Sequence, residues 1–303
     1  MPVINRTSQI KELVPGINAL FGDTYKAFPD KHTEIFEIEK SSHAFEEDVK
    51  LSGFTAAPVK NEGAAIVYDD SREAFTARYT HETIAMGFAI TEEAMEDNLY
   101  EQVARRNTKL LARSMAYTKQ IKAANILNNA FNSSFAGGDG VSLCSNAHPL
   151  VSGGVNSNVL TVAADLSETS LEAAVIQMYQ WADERGLLIA AKPKKLVIPP
   201  SLQFVATRIL QSEQRVDTPN NDINALKNNG AIPQGYSVNP WLTDDDAWFI
   251  TTDIPNGLKH FIRAPLTQKM DGDFETGNCK YKARERYSFG WSDPLALFGS
   301  PGA

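Results

Sequence analysis

The longest regular pattern in the chain is helical, in a stretch from Phe88 to Ala136 that contains neither glycine nor proline. Within it, residues 92–131 predict one unbroken helix, with Thr91 as the N-cap. Acidic residues fill its opening turns and basic residues follow, an order that suits the helix dipole. Apolar residues recur at steps of three, four and seven along one predicted buried face: Met95, Leu99, Val103, Leu110, Tyr117, Ile121, Ala124 and Phe131.

This helix is too long for a rounded protein of the same size. Residues 92–131 span roughly 60 Å at helical rise. A compact globule of 303 residues has a radius of gyration of about 19 Å and is about 50 Å across. Arg106, Ser114 and Asn128 interrupt any regular heptad seam, which argues against a coiled coil. We therefore expect a flat, elongated protein with the helix as its spine.

The region before the spine helix combines an interrupted helical pattern with strand patterns. Pro15 and Gly16 interrupt helix-like spacing over residues 5–21, which predicts an arm of short helical pieces. Strand-like segments occur near Ile38 and over residues 73–90. The polar, small and acidic residues 41–70 between them cannot form a core. We expect a long two-stranded arm that lies on another copy of the chain, because an isolated hairpin is marginally stable in water.

The second half of the chain alternates helical and strand patterns and then ends in a long strand. Asp165 and Glu168 predict a capping box at the start of a helix. The strand, helix and strand patterns that follow indicate a small α/β lobe over residues 161–253. Between Asn278 and Trp291 the odd positions are mostly apolar, so we expect this strand to pack on the spine helix.

Charged residues suggest where two copies of the chain could meet. The even positions of the long strand carry a basic row, and the arm carries an acidic group. These residues are our candidates for contacts between subunits: Glu46, Glu47, Asp48, Lys280, Lys282, Arg284 and Arg286. The alternative is that both groups are only solvated surfaces, since single exposed ion pairs contribute about 0 to 1 kcal/mol.

Composition excludes several classes of protein. Two cysteines, Cys144 and Cys279, cannot form a disulfide framework and fit a reducing compartment. The N-terminus lacks the apolar run of a secretory signal, and no window has the length of a membrane span. We therefore expect synthesis in the cytoplasm. The formal net charge of −8 argues against tight or sequence-specific nucleic-acid binding but leaves loose contact with DNA open.

Candidate catalytic chemistry is sparse in this sequence. Cys144 and His148 share a loop and would allow a cysteine nucleophile, but one thiol and one imidazole are too few for a zinc site. The glycine-rich run at 137–140 lacks the Lys-Ser/Thr pair of a phosphate loop, and no Gly-x-Ser-x-Gly elbow occurs. The three aspartates at 244–246 fit a solvated turn better than a cation site. We identify no catalytic, cofactor or metal site, and a packed loop is the favoured interpretation of Cys144 and His148.

Two local motifs and the order of the elements resemble a known protein family. Residues 139–150 read Asp-Gly-Val-Ser-Leu-Cys-Ser-Asn-Ala-His-Pro-Leu, and Asn-Ser-Asn follows at 156–158. Residues 87–93 read Gly-Phe-Ala-Ile-Thr-Glu-Glu and lead into the spine helix. These motifs are similar to the Mu-type head-subunit branch of the tailed-bacteriophage major capsid proteins, which have the Hong Kong 97-type fold.

The resemblance implies an α+β fold of named parts. They are an N-arm (1–33), an E-loop hairpin (34–90), a P-domain with the spine helix (91–160), an A-domain (161–255) and P-domain return strands with the C-terminus (256–303). It also implies a structural protein of the virion, not an enzyme, that forms hexamers and pentamers of an icosahedral head. The implied partners are other copies of the chain, a separate scaffolding protein, a portal, cement proteins and weakly contacted double-stranded DNA. No cofactor and no membrane are implied.

Two alternatives stay open at the level of the sequence. The same fold could form an encapsulin-like nanocompartment that encloses an enzyme cargo, and the contents of purified shells would separate this from a viral head. The chain could instead be a hydrolase that uses Cys144 and His148. In that case Cys144→Ala should abolish an activity, whereas a capsid protein should still form normal particles.

Overall fold

A computed structural model describes residues 6–91, 93–94, 100–215, 222–273 and 276–303, and within these ranges it shows an α+β fold. Helix α1 (Arg6–Ala27) lies beside the spine helix α2 (Tyr100–Asn128). The other helices are α3 (Glu168–Tyr179), α4 (Gln203–Gln211) and α5 (Ala225–Asn228), with 3₁₀ turns at His32–Glu34, Pro200–Leu202 and Pro294–Ala296. The strands are β1 (Glu37–Lys40), β2 (Phe45–Leu51), β3 (Glu73–Thr80), β4 (Glu82–Ile90), β5 (His148–Pro149), β6 (Val155–Asn156), β7 (Pro193–Ile198), β8 (Tyr236–Val238), β9 (Trp248–Thr252), β10 (Leu258–Gly272), β11 (Cys279–Trp291) and β12 (Leu297–Ser300).

The first sheet has the order β1-β10-β11-β4 and packs against α1 and the spine helix. Strand β1 is parallel to β10, and the other pairs are antiparallel. Tyr281 and Ala283 of β11 belong to the same core cluster as Ala112 and Met115 of the spine helix. The apolar face of this strand therefore packs on the spine helix as predicted, but against Ala112 and Met115 rather than against the predicted apolar stripe.

The second sheet, in the order β12-β9-β7-β8, forms the core of the α/β lobe with α3 and α4. Strand β12, from the C-terminal end of the chain, forms one edge of this sheet and pairs antiparallel with β9. Helix α3 begins after Ser167 rather than at the predicted Asp165. The Ser167 hydroxyl accepts a hydrogen bond from the Ser170 amide at 3.1 Å, and the Ser170 hydroxyl accepts one from the Ser167 amide at 2.9 Å.

The structure corrects the predicted buried face of the spine helix. Val103, Leu110 and Tyr117 are exposed by 42, 60 and 50 %, whereas the predicted Ala124 is buried and Met95 and Leu99 lie outside the described residues. Small side chains dominate the face that is actually buried, because they allow α1 and the sheet to approach the helix closely. The buried positions are Ala104, Thr108, Leu111, Ala112, Met115, Ala116, Gln120, Ala123, Ala124 and Leu127.

Helix α1 is continuous rather than broken into the predicted short pieces. A proline inside a helix costs about 3 kcal/mol because it removes a hydrogen bond and clashes with the preceding turn. In this protein the helix continues through Pro15 and Gly16 because its later turns bury Ile17 and Phe21 against the spine helix and β11. Tertiary packing therefore outweighs the local helix-breaking signal.

The arm also differs from the prediction, because its base lies on the chain's own body. Strands β2 and β3 pair antiparallel, and Tyr79 of β3 packs on Phe261 of β10 with ring centroids 4.8 Å apart. The fit is close, since a Cβ on Gly290 would lie 2.7 Å from the Tyr79 ring. Residues 54–70 beyond the base are exposed and without regular structure, as expected of a loop without a core, but the predicted loop of residues 41–70 also contains strand β2.

Candidate assembly surfaces

The base of the arm is fixed by a polar cluster around Asp48. Its Oδ2 accepts hydrogen bonds from Lys259 Nζ at 2.7 Å and from Ser292 Oγ at 2.6 Å. The Lys259 ammonium is also 3.2 Å from Glu39 Oε1. Burial acts to raise the pKa of Asp48, but the hydrogen bonds from Lys259 and Ser292 outweigh it and hold that pKa below its ordinary value. Asp48 is thus engaged within its own chain, and we do not retain it as a contact between subunits.

A second ion-paired cluster holds the end of β2. Lys50 Nζ lies 3.1 Å from Glu184 Oε1 and 3.1 Å from Asp293 Oδ2. Burial acts to lower the pKa of Lys50, but these two carboxylates outweigh it and raise that pKa. Lys50 therefore carries its charge and joins β2 to Glu184 and Asp293.

Beyond these clusters the arm continues as an exposed loop whose two ends are held together. The Ser52 amide donates to the Arg72 carbonyl at 2.8 Å, and the Thr55 amide donates to Asp69 Oδ2 at 2.7 Å. A concentration of exposed apolar side chains on a segment without a core marks an interaction surface. The large apolar residues of the loop that are more than half exposed are Phe54, Val59, Ile66, Val67 and Tyr68.

The basic row predicted on the long strand is present on β11. Lys280, Lys282 and Arg284 are exposed and Arg286 is half-buried, whereas the alternate positions from Cys279 to Tyr287 are buried. Lys280 Nζ lies 2.5 Å from Asp273 Oδ2. Lys282 and Arg284 form no ion pair with any residue in the described part of the chain, so the centre of the row is not neutralised.

Small residues of the edge strand β4 lie beside this basic row. The register places Lys282 opposite Gly87 and Arg284 opposite Ala85. The basic side chains of β11 therefore lie one strand away from the free edge of the sheet. Edge strands carry unpaired backbone groups that can pair with another extended chain.

The three acidic candidates of the arm differ in their environments. Asp48 is held by Lys259, as described above, and Glu46 is half-buried on the same face of β2. Glu47 is exposed and lies 3.8 Å from Arg78 of β3. Glu62, on the loop of the arm, is fully exposed. Sequence patterning could not separate these cases, because the neighbours of each carboxylate come from distant parts of the chain.

The loop that contains Cys144 and His148 is packed on both sides. Cys144 is buried in the core, and burial raises the pKa of its thiol, so the neutral form predominates at neutral pH. His148 Nδ1 lies 2.6 Å from Asp139 Oδ2, and its Nε2 lies 3.1 Å from Asn158 Oδ1. Among the described residues, no three His, Cys, Asp or Glu side chains form a group that could hold a metal ion. This environment agrees with a packed loop.

Asn158 is the centre of this loop, a role that local sequence patterning does not reveal. The side chain is fully buried, and its Nδ2 donates to the carbonyls of Leu143, Pro294 and Leu297 at 2.8, 2.9 and 3.0 Å. Its Oδ1 accepts from the Ser145 amide at 2.8 Å. In the sequence, the resemblance of the Asn-Ser-Asn motif to a known family was the signal that pointed to Asn158. The structure shows that this residue joins the loop to the C-terminal segment by hydrogen bonds.

A buried histidine provides a pH-dependent contribution to stability. His260 stacks on Phe289 at 4.2 Å and faces the His32 ring at 5.0 Å, and neither of its ring nitrogens has a hydrogen-bond partner in the described structure. Burial, followed by the charges of His32 and Lys119, lowers the pKa of His260 to about 3. The folded protein therefore keeps this imidazole neutral under mildly acidic conditions.

We expect His260→Phe to weaken the acid sensitivity of folding. Below the ordinary histidine pKa of about 6.5 the unfolded chain binds a proton that folded His260 does not, so stability falls as the pH falls. This linkage amounts to about 2 to 3 kcal/mol between pH 6.5 and 4.5. Urea unfolding of both proteins at several pH values measures it, and equal pH slopes for the two proteins would contradict the assignment.

Structural comparison finds proteins of similar fold among capsids and virus-like particles. The capsid of cyanophage P-SCSP1u matches with a TM-score of 0.58 at 10 % identity, covering 89 % of this chain and 86 % of that one. The procapsid of bacteriophage JBD30 matches with a TM-score of 0.54 at 12 % identity over 98 % and 76 % of the two chains. A virus-like particle from Pyrococcus furiosus matches with a TM-score of 0.51 at 10 % identity over 94 % and 97 %. At these identities the likeness shows a shared fold, which confirms the expected capsid fold.

Sequence comparison then identifies the family. No curated protein matches this sequence. No helix in the described ranges is long and apolar enough to cross a membrane. The model of one sequence family, described as phage capsid protein, matches residues 73–299, which is most of the chain and includes both quoted motifs. The chain therefore belongs to the phage capsid protein family.

Proposed function

We propose that this chain is the major shell subunit of a tailed-phage head. In this proposal, copies of the chain form hexamers and pentamers that close into an icosahedral shell around double-stranded DNA. The observation that carries it is the exposed loop of the arm, residues 54–70, which presents large apolar side chains and has no core of its own. Such a loop acquires burial when it lies on a neighbouring subunit.

The basic row of β11 is the surface that best suits a neighbour's arm. Its centre, Lys282 and Arg284, lacks ion pairs with the described residues of its own chain, and it lies next to the edge strand β4. The exposed Glu47 and Glu62 of an arm supply the opposite charge. Each ion pair contributes about 0 to 1 kcal/mol, but repetition around a closed shell multiplies this contribution and fixes the register of the contact.

We expect Lys282→Glu/Arg284→Glu to lower the yield of shells by about tenfold or more while the subunit stays folded. Both side chains project from the exposed face of β11 and take no part in the core, so their reversal should repel an acidic arm without unfolding the protein. Gradient sedimentation and electron microscopy measure the yield, and circular dichroism measures the fold.

The matched control for this experiment is Lys192→Glu/Lys227→Glu. These two lysines lie on the α/β lobe, and their reversal changes the net charge by the same amount. Normal shells from the control and few shells from the β11 variant support a specific contact. Equal yields from the two variants would mean that only total charge matters.

A nanocompartment is the second candidate, because the virus-like particle from Pyrococcus furiosus shares the fold. Particles purified after expression of the chain with its neighbouring genes decide between the two. Packaged double-stranded DNA supports the viral head, and an enclosed protein cargo supports the nanocompartment. A scaffolding protein, a portal and cement proteins are further proposed partners of the viral head. The hydrolase alternative gains no support from Cys144, whose thiol is buried and neutral.

A further inference from the structure

The spine helix carries an exposed stripe formed by Val103, Arg106, Leu110, Arg113 and Tyr117. Their spacing alternates between three and four residues, so they fall within an arc of roughly 80° on one side of the helix and extend for about 21 Å. The three apolar members are 42, 60 and 50 % exposed. The three apolar members recur at every seventh residue, and the two arginines lie between them on the same side of the helix.

The stripe lies on the side of the spine helix opposite to its buried face. Helix α1 and the first sheet bury Leu111, Ala112 and Met115. Beside the stripe, Ser114 Oγ lies 3.6 Å from the sulfur of Met86, a residue of β4 that is itself 52 % exposed. The three apolar side chains of the stripe and Met86 are therefore all exposed in the described structure.

The charges around the exposed stripe have one sign. Arg106, Lys109 and Arg113 are exposed, and none of them forms an ion pair with another described residue. The sequence contains no aspartate or glutamate from residue 102 to residue 128. An occupant of this surface therefore needs apolar residues along its centre and acidic residues along its flank.

We propose that the exposed stripe docks an acidic amphipathic helix of a different protein. A second spine helix fits poorly, because pairing two such stripes would oppose arginine to arginine. DNA would use the basic side chains but would leave Val103, Leu110 and Tyr117 without apolar contacts. This inference goes beyond shell assembly, because it concerns a surface of the subunit that the arm contact does not use.

The test uses a fluorescent synthetic helix of about 21 residues with leucine at heptad core positions and glutamate at the flanks. Fluorescence anisotropy measures its binding to the purified full-length subunit. We expect saturable binding that Arg106→Glu/Arg113→Glu weakens by about tenfold or more, and that Leu110→Asn also weakens. A peptide of the same composition in scrambled order should not bind, and Lys192→Glu should bind as the wild type does.

A charge exchange separates a lost contact from a misfolded protein. The same peptide with lysine in place of glutamate should bind Arg106→Glu/Arg113→Glu better than it binds the wild type. Equal binding of the scrambled peptide, or wild-type affinity in the double variant, would overturn the proposal. It would also be overturned if a short DNA duplex bound the stripe in place of the peptide, or if the stripe only joined two subunits. Peptide binding is measured on soluble subunits, so a wild-type chain that formed no shells would refute the proposed function and leave this test intact.

Discussion

Replacing residues 56–68 by a short Gly-Ser linker should abolish shell formation and leave a folded subunit. The segment is fully exposed and carries Val59, Ile66, Val67 and Tyr68, so its removal takes no side chain from the core. Its ends are already close, since the Thr55 amide donates to Asp69 Oδ2 at 2.7 Å. Electron microscopy and sedimentation should find no shells, and the melting temperature should change by less than about 2 °C.

A variant of unchanged length serves as the control for this deletion. Substituting residues 56–68 with the same number of glycines and serines keeps the reach of the arm and removes its side chains. Loss of shells in both variants means that the side chains make the contact, and loss in the deletion alone means that reach is decisive. Intact shells from the deletion variant would refute the role of the arm in assembly.

Local periodicity is sufficient to predict the order and type of most elements. Strand β11 is the clearest case, because burial alternates residue by residue as the pattern of Tyr281, Lys282, Ala283 and Arg284 predicts. A strand that is apolar on one face and basic on the other has only one stable orientation beside a core. Local periodicity also predicts that the spine helix and the α/β lobe exist, although it does not predict which face of the helix is buried.

The predicted face of the spine helix is wrong because hydrophobicity and burial diverge there. Leu110 and Tyr117 are strongly apolar and exposed, whereas Ala116 and Gln120 are buried. Close packing of α1 favours small side chains, and Gln120 is held by its Nε2, which donates to Asp30 Oδ1 at 2.9 Å. Side-chain hydrophobicity alone carries no information about which neighbour each face of a helix meets.

Most features that the sequence did not predict are polar contacts between residues that are far apart in the chain. Asp48 and Lys259 are 211 positions apart, and Asn158 and Leu297 are 139 apart. The tertiary fold decides such partners, and no local spacing predicts them. The candidate site was therefore predictable as a pair of charged regions, whereas the inward orientation of Asp48 and the exposed stripe of the spine helix required the structure.

Lys119→Ala should cause a large loss of stability, because Lys119 is the counter-ion of a buried carboxylate. Lys119 Nζ lies 2.6 Å from Glu285 Oε2, and Glu285 is 2 % exposed on the buried face of β11. The Tyr25 hydroxyl donates to the same oxygen at 3.2 Å, so one carboxylate joins α1, the spine helix and the sheet. Removing the ammonium leaves the buried carboxylate unpaired with any cation, which costs about 3 to 5 kcal/mol of the free energy of unfolding.

Two comparisons show whether this loss comes from burial of the charge. The pair of Lys31 and Glu34 is the more exposed control, with side chains 30 and 32 % exposed and Nζ 2.9 Å from Oε1, and Lys31→Ala should cost less than about 1 kcal/mol. The double variant Lys119→Met/Glu285→Leu removes both charges and should recover most of the stability, because apolar side chains replace a desolvated pair at little cost. Urea unfolding of the soluble subunit measures all three variants. If Lys119→Ala cost no more than Lys31→Ala, the carboxylate would have access to water, and Glu285 could not be the residue that fixes α1 to the spine helix.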